Sequence, residues 1–340
     1  MLPAGADFAT RNATGVKPVG ATATMLLRED RECAYPIVEG IPILMAPEML
    51  TTTKNAGNFD LSDPKYAEAY EEMTHYNQVA MLEAENIKAS QTYKCIEPVI
   101  NASAQELASF PRPRRVWLDA IYDCAAQWDA YAHIAPVQGK RVLQLGGKGI
   151  HAVKLLFAGA AEAWVATPML GEARCALALA QAAGLGARLH SVVAVAEELP
   201  FEAGTFDVVY SGSCMHHTVT ALAFPEIVRV LRAGGKFGAL DPWRTPFWGI
   251  GTKIFGKREK NVYCRPMTEA RITPLLQSFH RANVVHHGAL TRYPLLALSK
   301  FGIASRLSMV WWLNSLDDSF CSAIPGLRRL GSSVALLGEK

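Results

Sequence analysis

From Arg141 onward the chain alternates short apolar runs with longer amphipathic ones. RVLQLG (Arg141 to Gly146), AWVAT (Ala163 to Thr167), SVVAV (Ser191 to Val195), FDVVYS (Phe206 to Ser211) and GGKFGALD (Gly234 to Asp241) are β-rich, apolar and of strand length. Between them IHAVKLLFAGA, GEARCALALAQAAG and FPEIVRVL carry a helical period, the second closed by Gly184. Strand followed by helix, repeated, implies parallel strands joined by crossovers, an α/β chain with helices on both faces of one sheet. A strand near Ala282 to His287 and a terminal strand SSVALLG bring the expected sheet to seven, mostly parallel.

Upstream the pattern differs. Residues 1–57 are rich in Gly, Ala, Pro and Thr and hold one apolar island, YPIVEGIPILM (Tyr35 to Met45), whose glycine and prolines predict a small hairpin or strand pair on an arm that packs against the body. Residues 58–136 read as a helical cap. Tyr66, Tyr70, Met73, Val79 and Leu82 recur at helical spacing, as do Val116, Leu118, Ile121 and Tyr122, and PRPRR (Pro111 to Arg115) separates the two groups. The strand–helix alternation occupies 137–242, and 243–340 is expected to hold the substrate or lid region and the final strands. Within it Leu290 to Leu327 is unusually apolar, interrupted mainly by Lys300 and Arg306, and fits a helix pair. Its candidate uses are extra core, a surface for a second copy of the chain, and a lid over an apolar substrate with Phe301 and Trp311 as contacts.

Composition narrows the partners. The 340 residues are 50% hydrophobic and 19% charged, enough to bury a full core. Thirty-four basic against 31 acidic residues leave a net charge of +3, too near balance for non-specific nucleic-acid binding. Seven cysteines lie far apart with no metal-ligand spacing, so reduced thiols, a cytoplasmic location and no metal are expected. No signal-peptide core and no apolar run of about 18 residues stands out, so no membrane span is expected.

The candidate chemistry begins at Leu143 to Ala152, a strand running through glycines into a helix, which presents backbone N–H groups to a nucleotide or carboxylate. Gly147 to Ala152 (GKGIHA) also matches the dinucleotide fingerprint G-x-G-x-x-A, so a nicotinamide oxidoreductase is one alternative. That reading needs an acid at the end of the second strand, where Ala166-Thr167-Pro168 stands instead. The nearest carboxylate, Glu172, falls inside the next helix.

Farther on come AVAEELPFEAGTFDVVYSGSCMHHT and PEIVRVLRAGGKFGALDPW. In serial order these strings resemble the class I, S-adenosylmethionine-dependent methyltransferases of the ubiquinone- and menaquinone-biosynthesis type, over about Arg141 to Trp243. The resemblance implies a Rossmann-like sheet with S-adenosylmethionine as cofactor. It puts the methionine part over Gly146, Gly147 and Gly149, the ribose near Thr167, and the adenine near Ala196 and Glu197, with Gln144 and Ser211 completing the set. The chain departs from the family at three acids. Gln144 stands where the first motif usually opens with one, Thr167 replaces the ribose-binding acid, and Val195 replaces the acid that meets the adenine. Lys148 and Ile150 also take places usually given to glycine. Two readings follow: cofactor binding through substituted contacts, or a methyltransferase-like scaffold without catalysis.

His216 and His217 follow the fourth strand at the carboxyl edge of the sheet, as a general base or as a cap on the next helix. Asp241 ends the fifth strand and is the second candidate for a polar substrate contact. Trp243 and Arg244, with Phe247 and Trp248, are candidates to line a substrate site or to pack as core, and Lys253, Lys257, Arg258, Lys260 and Arg265 form a basic cluster or a solvated loop. YPIVEGIPILM also resembles the tail of a small zinc-ribbon module. Only Cys33 precedes it, so no zinc site is expected. The overall expectation is O-, N- or C-methylation of a small or medium-sized apolar metabolite.

Overall fold

The computed structural model describes residues 18–21, 25–28, 34–44, 64–246, 266–301, 307–324 and 326–340. Its centre is a seven-stranded sheet built from β5 (Arg141–Leu145), β6 (Glu162–Thr167), β7 (Leu189–Val193), β8 (Phe206–Gly212), β9 (Leu231–Pro242), β10 (Arg281–His287) and β11 (Ser333–Glu339). Across the sheet the order is β10-β11-β9-β8-β5-β6-β7. Only β11 runs antiparallel to its neighbours. The seven strand motifs of the sequence therefore assemble as one Rossmann-like α/β sheet, with β5 and β8 side by side at its middle.

Alternation within the strands sorts the side chains to two cores. Leu143, Leu145, Trp164, Ala166, Val209, Phe237 and Ala239 join one cluster, whereas Val142, Ala163, Val165, Val208 and Tyr210 join the other. Helices that contribute to the second cluster include α2 (Cys124–Ile134), α3 (Ile150–Phe157) and α4 (Leu170–Ala182). The first is closed by α5 (Thr220–Val230) and α6 (Glu269–Ser278), through Phe224, Ile227, Ile272 and Leu275. Lys154 of α3 is fully buried, its Nζ 2.8 Å from Asp119 Oδ1 and 2.8 Å from the carbonyl of Trp117.

The arm forms more than the strand pair expected of it. β1 (Pro18–Ala21), β2 (Met25–Arg28), β3 (Ala34–Val38) and β4 (Ile41–Pro42) make a four-stranded antiparallel sheet. Tyr35, Ile37 and Leu44 enter the first core cluster, and Leu44 N–H donates to the Val193 carbonyl at 2.8 Å, which covers the edge of β7.

A long helix, α1 (Pro64–Glu85), crosses the start of α4. Asn77 Oδ1 accepts the Gly171 N–H at 2.7 Å, and a Cβ on Gly171 would lie 2.3 Å from the Asn77 carbonyl, so the contact requires glycine. Glu83 pairs with Lys148 at 2.9 Å and so ties α1 to the turn after β5. The apolar stretch after β10 holds α7 (Arg292–Lys300) and α8 (Leu307–Ala323). Helix α8 lies on α2 and the end of β10. Asp318 and Asp129 clasp His287 at 3.0 and 2.9 Å, and the Arg114 guanidinium sits between the rings of Trp311 and Trp128. Its other face leaves Met309, Trp312, Leu316, Phe320 and Ile324 exposed. No described helix is long and apolar enough to cross a membrane.

Candidate active site

The turn between β5 and α3 is built from three left-handed glycines, Gly146 (φ 67°), Gly147 (φ 74°) and Gly149 (φ 82°). A Cβ on Gly146 would stand 2.5 Å from Cys214 Sγ, and one on Gly149 would stand 2.6 Å from the Ala176 Cβ of α4. Gly149 is the N-cap of α3 and offers no side-chain acceptor, so the first N–H groups of the helix have no intrahelical partner. Gln144 satisfies one of them. Its Oε1 accepts from Ala152 N–H at 2.7 Å, and its Nε2 donates to the Gly146 carbonyl at 2.7 Å. The buried amide thus fixes the shape of the turn, where the sequence reading had it contact the cofactor.

Thr167, fully buried at the end of β6, donates its hydroxyl to Glu172 Oε2 at 2.6 Å, and the same oxygen accepts the Gly147 N–H at 2.9 Å. Burial pushes the Glu172 carboxyl above its ordinary range, against the pull of those two bonds. The Thr167 carbonyl accepts from Ala194 N–H at 3.0 Å, which brings the segment carrying Val195, Ala196 and Glu197 beside it. Glu197 Oε1 accepts the Val219 N–H at 2.7 Å, next to the start of α5. Ser211 lies inside β8 between Leu145 and Ala239, fully buried, with no hydrogen-bond partner for its hydroxyl among the described residues.

At the ends of β8 and β9 the structure brings His216 and Asp241 together. Asp241 is fully buried, and Oδ1 accepts from His216 Nδ1 at 2.8 Å and from the His216 backbone N–H at 3.0 Å. Burial raises the Asp241 carboxyl pKa, while His216 pulls it back down. His217 is exposed, its ring centroid 3.9 Å from that of His216. Cys214 links this pair to the glycine turn, since its side chain fills the space a Gly146 Cβ would take.

Other candidates fall elsewhere. Trp243 packs into the core against His286, ring centroids 4.5 Å apart, so it builds no aromatic wall; Arg244 is exposed. Trp311 stands on the outer layer with Arg114 and Trp128, and Phe301 is 78% exposed. Phe247, Trp248 and the basic cluster from Lys253 to Arg265 lie outside the described residues, as does Cys33.

The sequence reading missed two features of the site. Glu172 reaches back to the turn, and its only signal was being the first carboxylate after β6. His151 of α3 packs its ring against Gly212 and holds Tyr131 Oη at 2.6 Å from Nδ1, with burial driving its pKa down to about 4.

A turn of left-handed glycines at a helix N-terminus fits a ligand with an anionic end, because its donors are backbone groups that no side-chain substitution removes.

Residues 143–239 match the family model described as a methyltransferase domain. Among solved structures the chain is similar to geranyl diphosphate methyltransferase in complex with SAM, at 19% identity over 63% of this chain and 84% of that one, with a TM-score of 0.46. It is similar to the [4+2]-cyclase SpnF, at 19% identity over 64% and 79%, with a TM-score of 0.44. It is also similar to geranyl diphosphate C-methyltransferase from Streptomyces coelicolor A3(2), at 13% identity over 74% and 98%, with a TM-score of 0.44. The family match is to the methyltransferase domain at large and does not single out the ubiquinone- and menaquinone-type subgroup. Residues 143–239 thus match a methyltransferase domain.

Proposed function

We propose that this protein methylates a small or medium-sized apolar metabolite at oxygen, nitrogen or carbon. The observation that carries the reading is the glycine turn and the His216–Asp241 pair on one carboxyl edge, joined through Cys214. S-adenosylmethionine supplies an electrophilic methyl group on a sulfonium. Gly146, Gly147 and Gly149 are the residues to hold its methionine part, and the loops at Thr167 and Ala196 its nucleoside.

Methyl transfer asks little of the chain beyond alignment, exclusion of water and, for some acceptors, removal of a proton. Asp241 Oδ1 accepts the Nδ1 proton of His216, which leaves Nε2 as the basic nitrogen. Nε2 then takes the proton of an acceptor hydroxyl or amine. Val219 and Leu222, both 56% exposed just beyond His217, and Leu290 beyond β10 are apolar surface available to an apolar acceptor. A non-catalytic scaffold draws on one observation, the Gln144 amide and the Glu172 carboxylate satisfying the turn from within.

The test is calorimetric titration with S-adenosylhomocysteine, followed by incubation with methyl-labelled cofactor and a panel of apolar phenols, amines and isoprenoids. Saturable binding and label transfer to an apolar acceptor are expected. A folded chain that binds no S-adenosylhomocysteine would leave the scaffold reading, and transfer to polar acceptors alone would overturn the apolar class.

A further inference from the structure

We propose that Glu172 is the ribose-binding carboxylate of this protein, displaced from the end of β6 into the first turn of α4. The inference rests on the cofactor reading above and adds a residue to it. Methyltransferases of this class are expected to present an acid at the strand end, and Thr167 stands there. The Thr167 hydroxyl is turned toward Glu172 Oε2, at 2.6 Å, while the Gly147 N–H reaches the same oxygen at 2.9 Å. The carboxylate is therefore anchored between the glycine turn and the strand end, beside the place the ribose takes in such a sheet.

Three further observations give the carboxylate a task beyond bracing the loop. Its second oxygen, Oε1, accepts no hydrogen bond from the described residues, so one face of the group is open to a donor. It has no salt-bridge partner among the described residues, because the nearby Lys148 ammonium is taken by Glu83 at 2.9 Å. The side chain is nonetheless buried, and burial pushes its pKa upward. A largely buried carboxylate with one oxygen accepting no hydrogen bond is costly, and the Lys148 charge, already paired with Glu83, offsets only part of that. A vicinal diol donating to Oε1 offsets that cost without adding charge. A mere brace would need only Oε2.

The test is a thermodynamic cycle between residue and ligand. S-adenosylhomocysteine and its analogues lacking the 2′- or the 3′-hydroxyl are titrated calorimetrically into the wild-type chain and into Glu172→Gln, with folding checked by circular dichroism. The wild type is expected to lose about tenfold or more in affinity when one hydroxyl is removed, the scale of a hydrogen bond to a charged acceptor. Glu172→Gln should bind S-adenosylhomocysteine correspondingly less tightly and no longer distinguish it from the deoxy analogue. If Glu172→Gln does not fold, Glu172→Asp keeps the charge but withdraws it by one methylene, and must lose the same discrimination.

Equal discrimination in variant and wild type would overturn the proposal and leave the cofactor reading standing. Tighter binding by Glu172→Gln would also overturn it, making the carboxylate an obstacle. Absence of S-adenosylhomocysteine binding by the folded wild type would overturn the cofactor reading and this proposal with it.

Discussion

Asp241 Oδ1 lies 2.8 Å from His216 Nδ1 and 3.0 Å from the backbone N–H of the same residue, so one buried oxygen fixes both the ring and the main chain of the histidine. Asp241 lies at the end of β9 and His216 in the short turn that follows β8, and the parallel register of the two strands sets Gly212 opposite Leu240. The pair is thus a product of sheet geometry.

Asp241→Asn separates the electrostatic role from the steric one. The amide oxygen can still accept one N–H, but the carboxylate charge that orients the imidazole is gone. With a known acceptor, kcat should fall by about 100-fold or more if Nε2 acts as general base, while S-adenosylhomocysteine affinity stays within about twofold, since a polar contact that strengthens only in the transition state leaves ground-state binding alone. A kcat that is unchanged, with a flat pH profile in both proteins, would show that the pair is structural.

Gly146→Ala and Gly184→Ala form a matched pair. Both positions have positive φ, 67° and 74°, but a Cβ at Gly184 meets nothing within 4 Å, whereas one at Gly146 meets Cys214 Sγ at 2.5 Å. Gly184→Ala should cost about 1–2 kcal/mol, the left-handed strain alone. Gly146→Ala should cost more in urea unfolding and lower S-adenosylhomocysteine affinity by about tenfold or more by displacing the turn. Full affinity in a folded Gly146→Ala chain would remove the turn from the binding site.

His287 makes the attachment of α8 depend on pH. Burial alone would lower its pKa, but the hydrogen bonds and charges of Asp129 and Asp318 win and raise it to about 9. A histidine raised on folding contributes stability that is complete below its unfolded value, near 6.5, and disappears as pH climbs through about 9. At neutral pH most of that contribution, on the order of 2–3 kcal/mol, is present. Amide exchange in residues 307–323, corrected for its intrinsic pH dependence, should lose protection between pH 7 and pH 9.5. In His287→Gln that loss should be absent and protection low throughout.

Lys154→Met would strand Asp119. Burial tends to raise the Asp119 pKa, and Lys154, His151 and Gln127 together hold it below its ordinary value of 3.8. A carboxylate depressed on folding contributes stability above its unfolded pKa and loses it as pH falls through the folded one. Lys154→Met is therefore expected to cost about 3–5 kcal/mol at pH 7 in urea unfolding. The deficit should shrink in acid, where Asp119 is protonated, and adding Asp119→Leu should recover much of it at neutral pH. A loss independent of pH would assign the cost to packing.

The strands, their order along the chain and the glycine turn were legible in the sequence, because each is a local pattern: a few apolar residues at period two, a helix at period 3.6, and glycines where φ must be positive. The rest depended on contacts between residues far apart in the chain. Thr167 looked like a lost acid, yet Glu172 is five residues on, and parallel pairing of β5 with β6 sets it against Gly147. Gln144 looked like a neutral substitute for a cofactor acceptor, and only the folded turn shows its amide consumed by Ala152 and Gly146. Trp243 and Trp311 had the composition of a substrate wall. Which surface an aromatic ring meets is set by packing across the whole sheet, and here His286 takes the first, Arg114 and Trp128 the second. Residue type and spacing fix what a segment forms, whereas the partner of a buried polar group is fixed by strand register and helix docking, which no short window of sequence contains.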